Sequence, residues 1–154
     1  LIESIRNGEK LEKEPLYFMK GYAEGAPGED IGTSYVEADL GKQHLYLYME
    51  GKLVLESDFV SGSMSRGRGT PAGVFGLTYK TRDTTLTGAN YASHVDYWMP
   101  FNGNIGMHDA SWRRSFGGNI YLSNGSHGCI NLPVEAARQI YEYVEKGFPV
   151  ICYY

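Results

Sequence analysis

Apolar and polar positions alternate through residues 43–49, with Leu45, Leu47 and Met49 on one face and His44, Tyr46 and Tyr48 on the other. That period of two is the mark of a half-buried strand. Glu50-Gly51 then turns the chain into 52–60, so the pattern predicts a β-hairpin. Further short apolar runs at 73–79, 105–108 and 150–154 are interrupted by Gly and Pro. Such punctuation suits a sandwich or barrel. The period changes once: Val134, Ala137, Ile140, Tyr141 and Val144 recur at helical spacing after Pro133, and Gly147 supplies a stop. The expected fold is mainly β, a sandwich or barrel with one helix near the C-terminus at about 133–146.

Composition narrows the class. The 154 residues include 20 glycines, about twice average usage. Fourteen basic against 18 acidic residues give a net charge of −4. No basic run interleaves with aromatics, which argues against a nucleic-acid partner. No apolar stretch approaches the ~20 residues that cross a bilayer, and residues 1–20 lack a signal-peptide core. The chain begins at Leu1, and the expectation is a segment of a longer polypeptide with any export signal or anchor upstream. Residues 1–33 are polar and broken by Gly21, Gly25, Pro27, Gly28 and Gly32, so they read as an interdomain tail that leaves 34–154 as one domain. A monomer is expected.

The chemistry concentrates in Ser126-His127-Gly128-Cys129-Ile130-Asn131, with His108 twenty-one positions before the thiol. A thiol with pKa near ~8.5 is mostly protonated at neutral pH, so a nucleophilic cysteine needs activation. Two activators are expected. One is a helix N-terminus just after Cys129, with Pro133 in its first turn. The other is an imidazole, from His108 or His127. Gly128 permits a sharp turn and close approach of a carbonyl to the main chain, and the N–H groups around Gly128 and Cys129 are candidate oxyanion donors. Together these residues point to a cysteine acyl-transfer site.

The other candidates carry plainer readings. His44 is expected to be exposed or at a strand edge, and His94 to lie in a polar loop. His127 and Ser126 are expected to support the turn, and Asn131 to cap the following helix. Trp98 and Trp112 flank His108 in sequence and are candidates for a groove wall, with Arg113 beside them as a candidate holder of an anionic peptide. The glycine-rich run 61–69 matches no nucleotide-binding pattern and is expected to be a mobile loop, a candidate flap. No CxxC or HxxxH spacing supports zinc, and neither metal nor cofactor is expected. Cys152 sits in an apolar run and reads as a small buried hydrophobe, not as a partner for Cys129.

His108 in Ile105-Gly106-Met107-His108-Asp109-Ala110, followed by Ser126-His127-Gly128-Cys129-Ile130-Asn131, resembles the signature of the L,D-transpeptidase (YkuD-type) catalytic domain. The likeness runs from about 34 to 154 and takes in Tyr35–Leu40 with Gln43–Tyr48 as an opening hairpin, Thr70-Pro71-Ala72-Gly73-Val74-Phe75 as a TPxGxF element, and Val95–Phe101 as the approach to the histidine. The resemblance implies a secreted or cell-surface enzyme of peptidoglycan synthesis with Cys129 as nucleophile and His108 as base. It implies that Asp109 orients the imidazole through its carbonyl or its side chain, and that Tyr91 lines the donor pocket. Implied partners are donor tetrapeptide stems, acceptor amines or water, and carbapenem β-lactams as covalent ligands. A sortase-like transferase, which needs a later catalytic arginine where only Arg138 stands, and an inactive wall-binding module are the alternatives.

Overall fold

The computed structural model describes residues 32–88 and 91–154. The expected N-terminal tail, 1–33, therefore lies outside the described residues except for its last two. Among the described residues there are nine strands, β1 (Tyr35–Asp39), β2 (His44–Met49), β3 (Lys52–Asp58), β4 (Gly73–Gly76), β5 (Thr81–Gly88), β6 (Tyr91–Asn102), β7 (Ile105–Asp109), β8 (Ile130–Leu132) and β9 (Pro149–Tyr153). Two helices join them, α1 (Ile120–Asn124) and α2 (Val134–Tyr143). One sheet has the order β3-β2-β1-β9-β4, the other β5-β6-β7-β8.

The hairpin forms where the alternation requires it. Leu45 and Leu47 are fully buried while Leu53 and Val54 on β3 stay exposed, and the register closes with Met49 opposite Lys52. Glu50 and Gly51 both take positive φ, 50° and 80°, the geometry whose twist matches a two-residue hairpin. Val36, Leu45, Leu47 and Val150 from the first sheet share one core with Met99, Met107, Ile130 and Leu132 from the second, and Ala137, Ile140 and Val144 join it. The mainly β expectation holds.

The helices depart from expectation in two ways. A second, short helix, α1, lies between β7 and β8. The long helix ends at Tyr143, three residues before the expected Lys146, because Val144 adopts an extended ψ of 152° and is fully buried. The last residues leave the helical path to deliver β9, with Gly147 N–H donating to the Leu77 carbonyl at 2.7 Å. His44 lies on β2, an interior strand of its sheet rather than an edge, between Asp58 at 2.7 Å and Glu56 at 2.8 Å. His94 is on β6 instead of in a loop, 3.1 Å from Asp83 and 3.4 Å from Asp96.

Between β6 and β7 the backbones approach so closely that only glycine fits at 106: a Cβ there would stand 2.4 Å from Pro100 Cα and 2.6 Å from the Met99 carbonyl oxygen. Both neighbours are main chain and cannot rotate away. Gly106→Ala is expected to destabilise the domain by about 1–3 kcal/mol, the usual cost of overpacking a core. Urea denaturation of parent and variant checks this, and a difference within experimental error would mean that the two strands are free to separate.

Candidate active site

Parallel pairing of β7 with β8 sets Met107 opposite Ile130, His108 opposite Asn131 and Asp109 opposite Leu132. Residues more than twenty apart in sequence thereby become neighbours, and Cys129, one step before β8, arrives beside β7. A cavity of about 170 Å³ opens there, lined by Tyr91, His108, Trp112, Arg113, Ser126, His127, Cys129 and Asn131, with Leu86 and Ser93 from the β5–β6 hairpin.

His108 is buried at 4% exposure. Its Nδ1 sits 2.7 Å from the Asp109 carbonyl oxygen, so Nδ1 carries the proton and donates, which leaves Nε2 as the basic nitrogen. The Asp109 carboxylate does other work. It accepts from the Asp96 N–H at 3.0 Å and the Tyr97 N–H at 2.8 Å, tying β7 to β6. Of the two orienting groups the sequence leaves open, the structure selects the carbonyl. Burial holds His108 below its ordinary pKa, against the pull of its bond to Asp109, and the nearby Arg113 charge lowers it further. The imidazole is therefore neutral at neutral pH and able to accept a proton.

The expected helix activator is absent. Cys129 runs into β8, and α2 starts only at Val134, behind Pro133, beyond the first-turn range over which a helix terminus acts. Burial instead pushes the Cys129 thiol up to about 11, against a lowering backbone hydrogen bond from Gly106. The S–H points to the Asn104 carbonyl oxygen at 3.4 Å. The resting site is thus a neutral thiol and a neutral imidazole sharing one cavity, with no helix terminus acting on the thiol.

The turn carrying Cys129 is held from several sides. Ser126 Oγ accepts from the Gly128 N–H at 3.0 Å and donates to the Cys129 carbonyl at 2.5 Å, so Ser126 is a turn-forming residue. Gly128 has φ of 133°, a conformation that suits glycine. His127 is exposed on the rim, its ring stacked on Tyr91 at 4.3 Å between centroids. Partial burial and then Arg68 and Arg66 lower its pKa. The run 61–69 divides: 61–63 are scaffold, and 64–68 form an exposed turn. Ser61 and Ser63 are buried, the Ser126 N–H donates to the Ser61 carbonyl at 2.9 Å, and the Ser63 N–H donates to the Ser126 carbonyl at 3.0 Å.

Other expected residues divide. Tyr91, Trp112 and Arg113 line the cavity. Trp98 is buried and outside the lining, its indole donating to Tyr79 Oη at 3.2 Å and its ring 5.9 Å from that of His108. It backs the imidazole instead of walling the groove. Asn131 caps nothing: it lies within β8, opposite His108, and Pro133 occupies the N-cap position. Asn131 Oδ1 and Arg113 Nε are buried without hydrogen-bond partners, and both belong to residues lining the cavity. Arg138, the sortase-like candidate, is on the exposed face of α2, paired with Glu135 and Glu142. Cys129 and Cys152 are free, and the buried Cys152 thiol is pushed up to about 12. Reading by sequence missed Leu86, Ser93 and Asn131 as lining residues, and also missed Thr70, whose hydroxyl reaches the catalytic turn. The TPxGxF match at Thr70 was the available signal.

A buried histidine sharing a cavity with a glycine-preceded cysteine, where two parallel strands of a two-sheet β domain pair, is the arrangement a cysteine acyl-transfer site requires. The family model for the L,D-transpeptidase catalytic domain (YkuD) matches residues 33–152, and the chain belongs to that family. It is similar to a crystal structure of a cysteine-to-serine mutant of the Enterococcus faecium L,D-transpeptidase, at 42% identity over 80% of this chain and 50% of that one, with a TM-score of 0.76. A carbamoyl enzyme formed by Ldtfm with avibactam is 43% identical over 80% of this chain and 50% of that chain, with a TM-score of 0.77. The solution structure of the Enterococcus faecium catalytic domain acylated by ertapenem is 42% identical over 79% of this chain and 97% of that domain, with a TM-score of 0.71. The present chain thus spans about half the length of the first two and nearly all of the third. Comparison with curated protein sequences returns no match.

The neutral pair has a pH signature. Because His108 is held below its ordinary value, protonation on acidification removes the base, and acylation of the thiol by a β-lactam is expected to rise with pH through a midpoint below 6.5 and stay flat across neutrality. Stopped-flow acylation rates from pH 4.5 to 9 test this. A rise centred above pH 8 would instead assign the rate to titration of the thiol.

Proposed function

We propose that this chain catalyses L,D-transpeptidation of peptidoglycan, acting outside the cytoplasm, and that residues 34–154 form its catalytic domain, preceded by a linker. The observation that carries the reading is the shared cavity of Cys129 and His108, with Nε2 left as the free base. In the mechanism, His108 Nε2 takes the Cys129 proton and the sulfur attacks the carbonyl carbon of the third residue of a donor tetrapeptide. The oxyanion formed is held by the main-chain N–H of Cys129, since that of Gly128 is committed to Ser126 Oγ. Collapse breaks the C–N bond to the terminal D-Ala, whose nitrogen takes the proton from the His108 imidazolium. An amine on the third residue of a second stem then loses its proton to His108 and attacks the thioester, giving a 3→3 cross-link as the thiolate leaves and is reprotonated. Water in place of the amine gives a carboxypeptidase.

With the thiol at about 11, roughly one molecule in 10⁴ carries a thiolate at pH 7. General-base help, worth about 10²–10⁴-fold, offsets that deficit. Ser126, His127 and Gly128 shape the turn, and Trp98 braces the base. Tyr91 and Trp112 wall the groove. Arg113 is half-buried, lines the cavity and donates to the Asn124 carbonyl at 3.0 Å while its Nε has no partner. The Arg113 guanidinium in the cavity wall suits the D-Ala carboxylate of the donor stem, because the leaving nitrogen must lie at His108, whose pKa already senses Arg113. The ertapenem-acylated relative supports β-lactams as covalent ligands of this chain, and the avibactam-carbamoylated relative supports a carbamoylating inhibitor.

Intact-protein mass spectrometry after incubation with a carbapenem is expected to show one adduct on the parent, none on Cys129→Ala, and formation slowed by about 10²-fold or more on His108→Ala. An adduct that survives in Cys129→Ala, or none on a fully reduced parent, would refute the assignment. Arg113→Gln is expected to lower kcat/KM for a stem tetrapeptide by about 10–100-fold, the worth of a charge-assisted hydrogen bond, yet leave turnover of the C-terminal amide nearly unchanged. Equal losses on both substrates would remove Arg113 from carboxylate recognition.

A further inference from the structure

Thr70 stands 58 residues before Gly128 and is 1% exposed. Its hydroxyl has both of its roles filled. Oγ1 accepts the Gly62 N–H at 3.0 Å and donates to the Gly128 carbonyl at 2.6 Å. The main chain of Thr70 is anchored in turn, since the Tyr154 hydroxyl donates to its carbonyl at 2.8 Å. Gly62 is fixed by crowding, because a Cβ there would stand 1.8 Å from the Arg68 carbonyl oxygen and 3.0 Å from Gly128 Cα. The Thr70 hydroxyl is therefore a rigid post, donating at a set point to the carbonyl just ahead of the nucleophile.

That carbonyl shares a peptide plane with the Cys129 N–H. In a planar trans peptide the C=O and N–H point in opposite directions, so whatever fixes one aims the other. Thr70 draws the Gly128 oxygen into the protein, and the Cys129 N–H is thereby turned the other way, toward the cavity that Cys129 lines. The Gly128 N–H is already committed to Ser126 Oγ, which leaves the Cys129 N–H as the donor the turn offers at the nucleophile itself. Oxyanion donors act because they are aimed before charge develops.

We propose that Thr70 is a positioning residue for acyl transfer, its hydroxyl setting the Gly128–Cys129 peptide plane so that the Cys129 N–H meets the oxyanion of the tetrahedral intermediate. The inference rests on the acyl-transfer reading above and adds a residue that touches neither substrate nor thiol. It separates two properties of the site. Attack on a carbonyl needs the oxyanion donor, whereas alkylation of the same sulfur by iodoacetamide, which displaces iodide from saturated carbon, creates no oxyanion and needs only a reachable thiol.

The test compares second-order rates of ertapenem acylation and iodoacetamide alkylation in the parent, Thr70→Val, Thr70→Ser and Thr70→Ala. Removal of the hydroxyl in Thr70→Val is expected to slow acylation by at least 10-fold, toward the about 10²–10³ lost when a whole oxyanion donor is removed, with alkylation changed less than twofold. Thr70→Ser is expected to stay within about threefold of the parent in both. Should Thr70→Val not fold, the Ser and Ala variants give the same contrast, since each lacks the methyl and they differ in the hydroxyl alone. Undiminished acylation without the hydroxyl, or parallel loss of both rates, overturns the proposal, as does unfolding of both hydroxyl-free variants, which would assign Thr70 to the fold alone. A parent that alkylates but is not acylated at all refutes the acyl-transfer reading itself, and the two failures are thus distinct.

Discussion

The parallel pairing of β7 with β8 is the constraint on which the rest of the site depends. Parallel neighbours cannot be joined by a tight turn and need a crossover of a dozen or more residues. The twenty residues between His108 and Cys129 are that crossover, containing Trp112, Arg113 and α1. The spacing that looks like a sequence motif is thus a topological length, set by the chain's need to leave one strand and return beside it in the same direction. Since His108 faces Asn131 in the register, a slip by one residue would send the imidazole to the other side of the sheet.

Pairing alone would bring the two side chains near without fixing the turn between them. The segment around 60–63 does that. Val60 exchanges main-chain hydrogen bonds with Asn131 at 2.8 and 3.0 Å, and Ser61 and Ser63 bracket Ser126. The catalytic turn is in this way stitched on one side to β7 and on the other to the glycine-rich run, with the Thr70 hydroxyl across its back. Such enclosure has an electrostatic consequence. It lifts the thiol and lowers the imidazole together, which favours the neutral form of both. A rigid turn and a neutral pair are two results of the same packing.

Local patterning made some of this legible and long-range pairing hid the rest. Alternation in 43–49 and the positive-φ demand at Glu50-Gly51 are local, and the hairpin formed as read. The long helix was read from an apolar stripe that also contains Val144, but burial of Val144 in an extended conformation serves the delivery of β9, a tertiary demand that no helical period encodes. Cys129 was read as preceding a helix because Pro133 signals a helix start. The three residues between them were free to pair with β7 instead, and β8 took them. His94 and the 61–69 run were read as loops from their polarity and glycine content. Pairing partners decide those segments: β5 across its hairpin in one case, with Thr85 opposite His94, and the distant 126–129 turn in the other. Cys129 and His108 stood out as candidates from residue type and spacing, whereas the contacts of Thr70 and Asn131 became visible only once the strands were in place.

The most direct measurement is a quenched single turnover with a stem tetrapeptide as donor and no acceptor amine, following the enzyme by intact mass and the released amino acid by chromatography. The account predicts an adduct equal to the donor less D-Ala, localised by peptide mapping to Cys129, with one D-Ala released for each thioester formed. Release of D-Ala without any adduct on Cys129, or an adduct that retains the fourth residue, would contradict acyl transfer through this thiol.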